Sequence, residues 1–156
     1  EPRGGSIDRY VLNIQANIPL THDTNNNCHT ATYLSSASGT IYGSYNGATN
    51  NYSPLNINAC QGLYARGPDR VFAVDVGAGQ TLHANLSSNS GDEVLYLLKD
   101  CPYRWDACVA ASDQYYGAGQ EEFHFENNVG SGRYFIVVDN NVDFATGEFT
   151  LTWSVN

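Results

Sequence analysis

One run of ten residues, 130–139, constrains the fold of this chain more than any other part of the sequence. It opens with Gly-Ser-Gly, which supplies the backbone freedom of a tight turn, and aromatic and β-branched residues then alternate with a period of two. Its two faces are formed by Tyr134, Ile136 and Val138 and by Arg133, Phe135 and Val137. Because both faces are mostly apolar, the run predicts a strand at the centre of a sheet, entered through a hairpin turn.

Two neighbouring runs are apolar on one face only, which is typical of strands with one covered and one exposed side. In residues 122–126 two phenylalanines alternate with polar residues, and residues 148–155 alternate in the same way. Along the whole chain we find roughly nine to ten strand patterns and no amphipathic helix. The sequence therefore predicts an all-β fold, an antiparallel jelly-roll-like β-sandwich.

The first strand pattern, residues 7–18, is separated from the others by Pro19 and by a polar linker, residues 21–27. Its apolar face is formed by Tyr10, Leu12, Ile14, Ala16 and Ile18. We therefore predict an N-terminal extended arm and linker, residues 1–27, followed by a β-sandwich domain, residues 28–156. Such an arm can fill an open sheet edge on a neighbouring copy, which would give a homo-polymer, or it can fold back as the first strand of its own sandwich.

The charge of the chain narrows the choice of partners. The 156 residues carry a net charge of −9, and Lys99 is the only lysine. Proteins that bind nucleic acids or anionic membranes use clustered positive charge to offset the phosphate groups. The composition therefore argues against nucleic acid as a partner. The chain also lacks an apolar run of about 18 residues, so we predict no membrane insertion.

Four cysteines, Cys28, Cys60, Cys101 and Cys108, occur without the paired spacing that zinc sites usually need. We interpret them as two disulfides, which indicates an oxidising compartment and an extracellular or cell-surface location. Three pairings are possible, and we favour Cys28–Cys60 together with Cys101–Cys108.

Signatures of catalysis are weak in this sequence. The Gly-x-Ser-x-Gly motif of serine hydrolases is absent, and the four histidines are scattered over strands and polar loops. The acidic pairs 92–93 and 121–122 support a rival hypothesis, a small secreted hydrolase with Asp92 or Glu122 as its acid. Because acidic side chains in turns are usually solvated, we predict that the protein is not an enzyme.

Several acidic residues fall at the ends of predicted strands. Calcium takes its ligands from several oxygen atoms, which loops commonly supply. Asp92, Asp113, Asp139 and Asp143 are therefore a candidate calcium site. The competing interpretation is that these residues serve only the turns in which they lie.

The predicted loops are rich in aromatic residues. These are Tyr42, Tyr45, Tyr52, Tyr64, Tyr103, Trp105, Tyr115 and Tyr116. Side chains of this kind stack on sugar rings or pack against a protein partner, and they also pack beneath long loops. Both interpretations fit the sequence about equally well.

Several segments, taken together, resemble one known family. They are residues 67–72, 76–82 and 92–97, Cys101 with Cys108, and residues 132–139 and 147–151. Across residues 28–155 the chain is similar to the bacterial pre-peptidase C-terminal domain and its cysteine-bearing relatives in secreted and surface proteins. The matching motifs are mostly strand and turn signals, so they identify a fold better than an activity.

The resemblance implies a non-catalytic β-sandwich of a type that is often appended to secreted hydrolases. Some relatives, such as the collagen-binding domains of bacterial collagenases, bind calcium and an extracellular polymer. The arm at residues 7–18 is not required by the family pattern. We therefore predict a structural subunit that assembles into an extracellular fibre or surface layer by strand donation. The alternative is a monomeric module that binds glycan or extracellular matrix and accompanies a secreted hydrolase system.

Overall fold

The computed structural model describes residues 24–54, 60, 62–89, 91–101 and 107–156. The predicted arm at residues 7–18, with its apolar face, lies outside this part of the chain. Nine strands are found in the described residues. No helix among those residues has the length and apolar character that crossing a membrane requires.

The strands form two sheets that pack face to face. They are β1 (Thr32–Tyr33), β2 (Ser38–Ser44), β3 (Arg70–Val76), β4 (Thr81–Ser88), β5 (Glu93–Leu98), β6 (Cys108–Ser112), β7 (Gln120–Glu126), β8 (Gly132–Asn140) and β9 (Glu148–Val155). One sheet has the order β1-β3-β8-β5-β6, and the other has the order β2-β9-β4-β7. The paired strands are antiparallel, except that β1 runs parallel to β3. The predicted all-β sandwich is confirmed.

Strand β8 lies between β3 and β5 at the centre of the five-stranded sheet, as its two apolar faces predicted. The predicted hairpin before β8 is wrong, because β7 pairs with β4 in the opposite sheet. Residues 127–131 therefore connect the two sheets. A strand such as β7, with one apolar face, suits a sheet with one exposed side, whereas β8 needs cover on both faces.

The main core lies between the two sheets. It contains Phe72, Leu82, Leu95, Ile136, Leu151 and Trp153, among others. At the edge of the four-stranded sheet, the ring of Trp153 lies over Gly39 and the ring of Phe149 lies over Gly43. A β-carbon at either glycine would collide with the ring above it, so the absence of a side chain on β2 is what lets both rings enter the core.

The outer face of the five-stranded sheet is buried as well. Val71, Tyr96 and Val137 contact a second cluster that includes Tyr52 and Leu63 from the long connection between β2 and β3. The described residues of that connection contain no strand, so they supply few main-chain ladder contacts to hold it in place. Side-chain packing and covalent links must therefore fasten this covering layer to the sheet.

Two disulfides supply those links. Cys28 pairs with Cys101 at a Cα–Cα distance of 5.9 Å, and Cys60 pairs with Cys108 at 5.8 Å. The predicted pairs Cys28–Cys60 and Cys101–Cys108 are therefore wrong. The long connection crosses the outer face of the sheet and reaches its far edge, so Cys60 meets Cys108 on β6. The pairs are separated by 73 and 48 residues, and each link is worth about 4 kcal/mol in a chain-entropy treatment.

The end of the predicted linker packs beside β3. Asn25 is fully buried, and its side-chain amide donates a hydrogen bond of 2.7 Å to the carbonyl oxygen of Val71. The N–H of Val71 donates in turn to the carbonyl oxygen of Asn25, also at 2.7 Å. Residues 24–27 thus adjoin the sandwich, and a domain boundary at residue 28 stays a prediction.

Candidate functional site at the loop end of the sandwich

The strand directions bring several connections to one end of the sandwich. Strands β3, β5, β7 and β9 begin at this end, and β2, β4, β6 and β8 finish there. We call it the loop end. The described parts of its connections are residues 45–54, 60, 62–69, 89, 91–92, 113–119 and 141–147.

Exposed apolar side chains concentrate at the loop end. Eight large apolar side chains are exposed in the described part of the chain, and five of them lie on these connections. The five are Tyr64, Tyr115, Tyr116, Val142 and Phe144. Single exposed apolar residues are normal on a protein surface, but a group of them at one end makes that end a candidate interaction surface.

Phe144 is the most unusual member of this group. It is 93% exposed, and its backbone adopts the left-handed conformation with φ of 62°. A bulky residue in this conformation costs about 1–3 kcal/mol, so the surrounding structure must hold it there. The side-chain oxygen of Asn140 accepts the N–H of Val142 at 2.8 Å, and the N–H of Ala145 donates to the carbonyl of Val142 at 3.3 Å. These contacts fix the turn that presents the Phe144 ring to solvent.

A groove of about 600 Å³ lies beside Phe144. Its walls come from residues 45, 47–50, 66–68 and 143–146. Arg66 and Asp143 are the charged side chains among its lining residues, and the guanidinium of Arg66 also lies 4.2 Å from the ring centroid of Tyr64. The groove thus combines apolar walls, one cation and one carboxylate, which suits recognition of a mixed apolar and polar surface.

The close approach of two connections shapes one wall of the groove. The N–H of Gly67 donates a hydrogen bond of 2.6 Å to the carbonyl oxygen of Asn140. A β-carbon at position 67 would lie 2.5 Å from the carbonyl oxygens of both Asn140 and Val142. Only glycine permits this contact without displacing the turn that carries Phe144.

Buried carboxyl groups hold the connections at the loop end in place, and Asp69 is the first of them. Its Oδ2 accepts the backbone N–H groups of Asn51 at 2.6 Å and Tyr52 at 2.8 Å. Its Oδ1 is buried and has no hydrogen-bond partner in the described structure. Burial raises the pKa of Asp69 to about 7, although the two N–H donors oppose that rise.

Asp139 lies deeper, at the end of β8. Its Oδ2 accepts the hydroxyl of Tyr96 at 2.8 Å, and its Oδ1 accepts the N–H of Asn140 at 2.7 Å. Its carbonyl oxygen accepts the hydroxyl of Tyr45 at 3.1 Å. Burial, and then the charge of Asp69, raise the pKa of Asp139 well above its ordinary range. Asp139 is therefore an internal anchor beneath the loops.

Two further carboxyl groups hold the connection that carries Tyr115 and Tyr116. The carboxylate of Glu121 is buried, and it accepts the N–H groups of Gln114 and Tyr115, each at 2.9 Å. Oδ1 of Asp92 accepts the N–H of Gly117 at 2.8 Å. These contacts order the connection that carries Tyr115 and Tyr116.

Arg70 supplies a cation at the same end. It is fully buried, and its guanidinium donates to the carbonyl oxygens of Thr24 at 2.8 Å, Ser44 at 3.1 Å and Asn46 at 2.7 Å. Burial lowers its pKa, and the charge of Asp69 acts against that change. Because Arg70 ties the end of β2 to the segment before β1, it fixes one wall of the groove.

The four predicted calcium ligands lie in different surroundings. Asp139 uses both carboxyl oxygens for internal bonds, and Asp143 lines the groove. Burial, and then the charge of Asp92, raise the pKa of Asp113. In the described residues, one group of three potential metal ligands has its ligand atoms within 4.8 Å of one another. It consists of Cys28, His29 and Cys101, and its two cysteines form a disulfide. Calcium binding stays a prediction, without a preformed ligand set among these four acids.

The two acids of the hydrolase hypothesis lie on different surfaces. Asp92 belongs to the loop end, where Oδ2 accepts the side-chain amide of Asn141 at 2.9 Å. Glu122 is exposed on β7 opposite Asn85 in the four-stranded sheet. Asp92 and Glu122 thus lie in different surroundings, and the hypothesis, which named either one as the acid, stays untested.

The predicted loop aromatics divide between the two roles that the sequence left open. Tyr45 and Tyr52 are buried, whereas Tyr42, Tyr64, Tyr115 and Tyr116 are exposed, and Tyr103 and Trp105 lie outside the described residues. Sequence reasoning missed Phe144 and Val142 at the surface, and it did not predict that Asp69 and Glu121 hold loop backbones from within. For Phe144 and Val142, the available signal was that two apolar residues lie within a segment rich in Asn and Asp, residues 140–147. Asp69 has no comparable local signal, because its partners lie 17 and 18 residues away.

Comparison with known proteins adds information about the fold. No protein-family model and no curated protein sequence matches the chain. Among solved structures, the chain is similar to PliG, a periplasmic inhibitor of g-type lysozyme from Aeromonas hydrophila, with 12% identity, a TM-score of 0.47, and coverage of 81% of this chain and 96% of that one. It is also similar to the pre-peptidase C-terminal domain of a collagenase from Bacillus anthracis, with 17% identity and a TM-score of 0.51 over 81% of this chain and 94% of that domain. The resemblance to pre-peptidase C-terminal domains is thus confirmed for the β-sandwich fold.

Proposed function

We propose that the protein is a non-catalytic binding module of an oxidising, extracytoplasmic compartment, and that its loop end docks a protein partner. The observation that carries this proposal is the group of exposed apolar side chains on connections whose backbones are held by the buried polar side chains of Asp69, Glu121 and Asn140. The two disulfides support the compartment, because such links persist outside the reducing cytosol.

The side chains at the loop end are of the kind that dominates protein interfaces. Tyrosine and phenylalanine bring large contact areas with few rotatable bonds, so they bind with little loss of conformational entropy. The bonds from Glu121 and Asp92 order the connection of Tyr115 and Tyr116 in advance. A preordered surface pays less for binding, which favours docking over a structural role for these exposed side chains.

The charge of the chain favours a partner that is positively charged. With a net charge of −9, the protein accelerates its encounter with a cationic surface and repels acidic ones. An aliphatic residue, Val142, lies among the aromatics of the loop end, and aliphatic contact favours a protein surface over a sugar ring. The competing hypothesis is that the same aromatic side chains bind glycan, and the experiment below distinguishes the two.

Site-specific crosslinking tests the proposal. A photoreactive phenylalanine analogue is placed at Tyr116 or Phe144, and at Val129 as the control. Val129 is 95% exposed but lies on the connection 127–131 at the opposite end of the sandwich. We expect crosslinks to one protein of the secreted fraction from positions 116 and 144 and none from 129. Excess unlabelled protein should compete for these crosslinks. The double variant that combines Tyr116→Ser with Phe144→Ser should not compete.

Two results would contradict docking of a protein at the loop end. The first is equal crosslinking from position 129, which would mean non-specific contact. The second is binding on a glycan array that Tyr116→Ser abolishes, together with an absence of protein crosslinks, which would assign the loop end to sugars.

Fibre assembly by strand donation is a second candidate, and it concerns other surfaces. In the described residues, β2, β6 and β7 are outermost in their sheets, and each pairs along one side only. An open strand edge can accept the main chain of an added strand, and residues 7–18 have the alternation of such a strand. Deletion of the arm, argued in the Discussion, tests this candidate independently of the loop end.

A further inference from the structure

A pair of histidines lies on the exposed face of the four-stranded sheet, away from the loop end. His83 on β4 and His124 on β7 are directly opposite each other in the antiparallel register. Their ring centroids are 4.1 Å apart, and the ring planes are inclined by 55°. His124 is exposed and His83 is partly exposed, so both rings are accessible to solvent.

We propose that His83 and His124 form a site for one divalent transition-metal ion of the zinc, copper or nickel type. Imidazole nitrogen is a preferred ligand of these ions, whereas calcium and magnesium prefer oxygen. Side chains that face each other across neighbouring strands have Cβ atoms about 4.5–5.5 Å apart. A metal ion with bonds of about 2.0–2.1 Å to nitrogen can join two imidazoles across that distance.

The imidazole nitrogens of both rings are accessible for binding. Within the described structure, neither imidazole makes a hydrogen bond or an ion pair, and the ring contact of each is the other histidine. Because both rings are accessible to solvent, their nitrogen atoms are open to water or to an ion. The geometry of the pair, two imidazoles face to face across neighbouring strands, is the feature that points to a metal ion.

The surroundings of the pair supply further ligands. A small cavity of about 190 Å³ is lined by both rings and also by Asn85, Glu122, Thr152 and Ser154. Ser154 is opposite His83 on β9, and Glu122 lies two residues before His124 on the same face of β7. In the described residues, the ligand atoms of His83, His124 and Glu122 do not all lie within 4.8 Å of one another, so the exposed side chain of Glu122 would reach an ion at the pair by rotating. Water fills the remaining positions of such an open site.

The charge of this face also favours a cation. The four strands of the sheet carry no lysine and no arginine. Three exposed glutamates lie on the same sheet, at positions 122, 126 and 148. A divalent ion would therefore meet attractive charge and no competing cationic side chain from these strands.

The experiment uses the full chain with intact disulfides and without a purification tag. Nickel is titrated by calorimetry, and the imidazole signals are followed by NMR at substoichiometric nickel. We expect one ion per chain, with the signals of His83 and His124 broadened together. His83→Asn and His124→Asn should each weaken binding by at least about tenfold, since changes outside the ligand shell alone cost 10- to 100-fold. Glu122→Gln should have a smaller effect.

His29→Asn is the matched control, because His29 is an exposed histidine beside the Cys28–Cys101 disulfide and outside the pair. We expect nickel affinity to be unchanged in this variant. Unchanged affinity in both His83→Asn and His124→Asn, or broadening of the His29 signal to the same extent as the pair, would overturn the proposal. Both pair positions are solvent-accessible, and a melting curve confirms that each variant is folded before it is titrated.

Discussion

The hydroxyl of Tyr96 donates a hydrogen bond of 2.8 Å to Oδ2 of Asp139, and both side chains are completely buried. This bond connects the second apolar cluster, on the outer face of the five-stranded sheet, to the carboxyl groups beneath the loop end. Burial raises the pKa of Asp139. The bond from Tyr96 lowers that pKa in part, because a hydrogen-bond donor stabilises the ionised carboxylate. Packing of the sheet and order of the loops are therefore linked through one contact.

Tyr96→Phe should destabilise the protein by about 1–3 kcal/mol, because it leaves a buried carboxyl oxygen without its donor. Chemical denaturation of both proteins measures the difference. Tyr42→Phe is the control, since Tyr42 is 62% exposed and water replaces the bonds of its hydroxyl. The control should change stability by less than about 0.5 kcal/mol. Equal effects of the two substitutions would show that the Tyr96 hydroxyl makes no special contribution.

The buried acids predict an unusual dependence of stability on pH. Burial raises the pKa of Asp69 to about 7, so the folded protein holds a proton that the unfolded chain has already released. Stability therefore falls as the pH rises from the ordinary pKa of Asp, 3.8, through about 7. For Asp69 alone the loss between about pH 5 and pH 8 is about 2–3 kcal/mol. The raised pKa of Asp139 acts in the same direction.

Asp69→Asn should remove much of that decline. The amide oxygen can still accept the N–H groups of Asn51 and Tyr52, but the side chain no longer gains a charge. We expect the variant to be more stable than the native protein at about pH 8, with a flatter profile of unfolding free energy against pH. Asp143→Asn, at an exposed position of the same end, should leave the profile unchanged. If Asp69→Asn lowers the free energy of unfolding by the same amount at about pH 5 and about pH 8, the prediction is contradicted.

The contact of Gly67 with the 140–142 turn gives a test of loop order. Gly67→Ala places a β-carbon against two carbonyl oxygens, so we expect a loss of about 1–3 kcal/mol and weaker binding of a partner at the loop end. Gly132→Ala is the control, because its β-carbon would meet the Tyr134 ring at an ordinary distance of 3.6 Å. If Gly67→Ala is as stable as Gly132→Ala, the close approach does not shape the groove.

The calcium prediction has a direct measurement. An ion that binds only the folded state must stabilise it, by about 2.7 kcal/mol at a hundredfold excess over its dissociation constant. If calcium binds through the predicted acids, the melting temperature rises with added calcium, and the rise is lost in Asp92→Asn and Asp113→Asn. A melting temperature that is the same in chelator and in millimolar calcium would refute the prediction.

The sequence predicted those features of the fold that depend on local alternation. The two apolar faces of β8 identified a central strand, and the single apolar faces of β7 and β9 identified strands with one exposed side. It could not show that residues 127–131 cross between sheets, because a turn before a strand has the same composition in either arrangement. The disulfide pairing failed for a related reason, since it depends on the path of the β2–β3 connection over the sheet.

The candidate site was predicted only in part. Tyr42 and Tyr45 are three residues apart and equally aromatic, but Tyr42 is exposed and Tyr45 is buried with its hydroxyl on Asp139. The difference arises because β2 ends at Ser44, after which the chain turns beneath the loop end. The buried role of Asp69 depends on partners that are distant in sequence. Long-range packing decides which loop residues reach the surface, and a local pattern does not contain that information.

The N-terminal arm gives the last prediction. The described residues form a core between the two sheets, and we expect a chain that lacks residues 1–20 to fold. If the arm donates its strand to a neighbour, light scattering will show assemblies of the full chain at high concentration and a monomer after the deletion. Head-to-tail donation does not close by itself, so the assemblies should lengthen with concentration.

A point substitution within the arm separates strand donation from other effects of the deletion. Ile14→Asp charges the apolar face of the predicted strand, and we expect it to abolish assembly. Gln15→Glu adds a negative charge on the opposite face at the neighbouring position, and we expect it to assemble as the native chain does. An unfolded deletion product would place the arm within its own sandwich. A full-length chain that stays monomeric at high concentration would also refute strand donation, and the binding role proposed for the loop end would be unaffected, because it uses none of these residues.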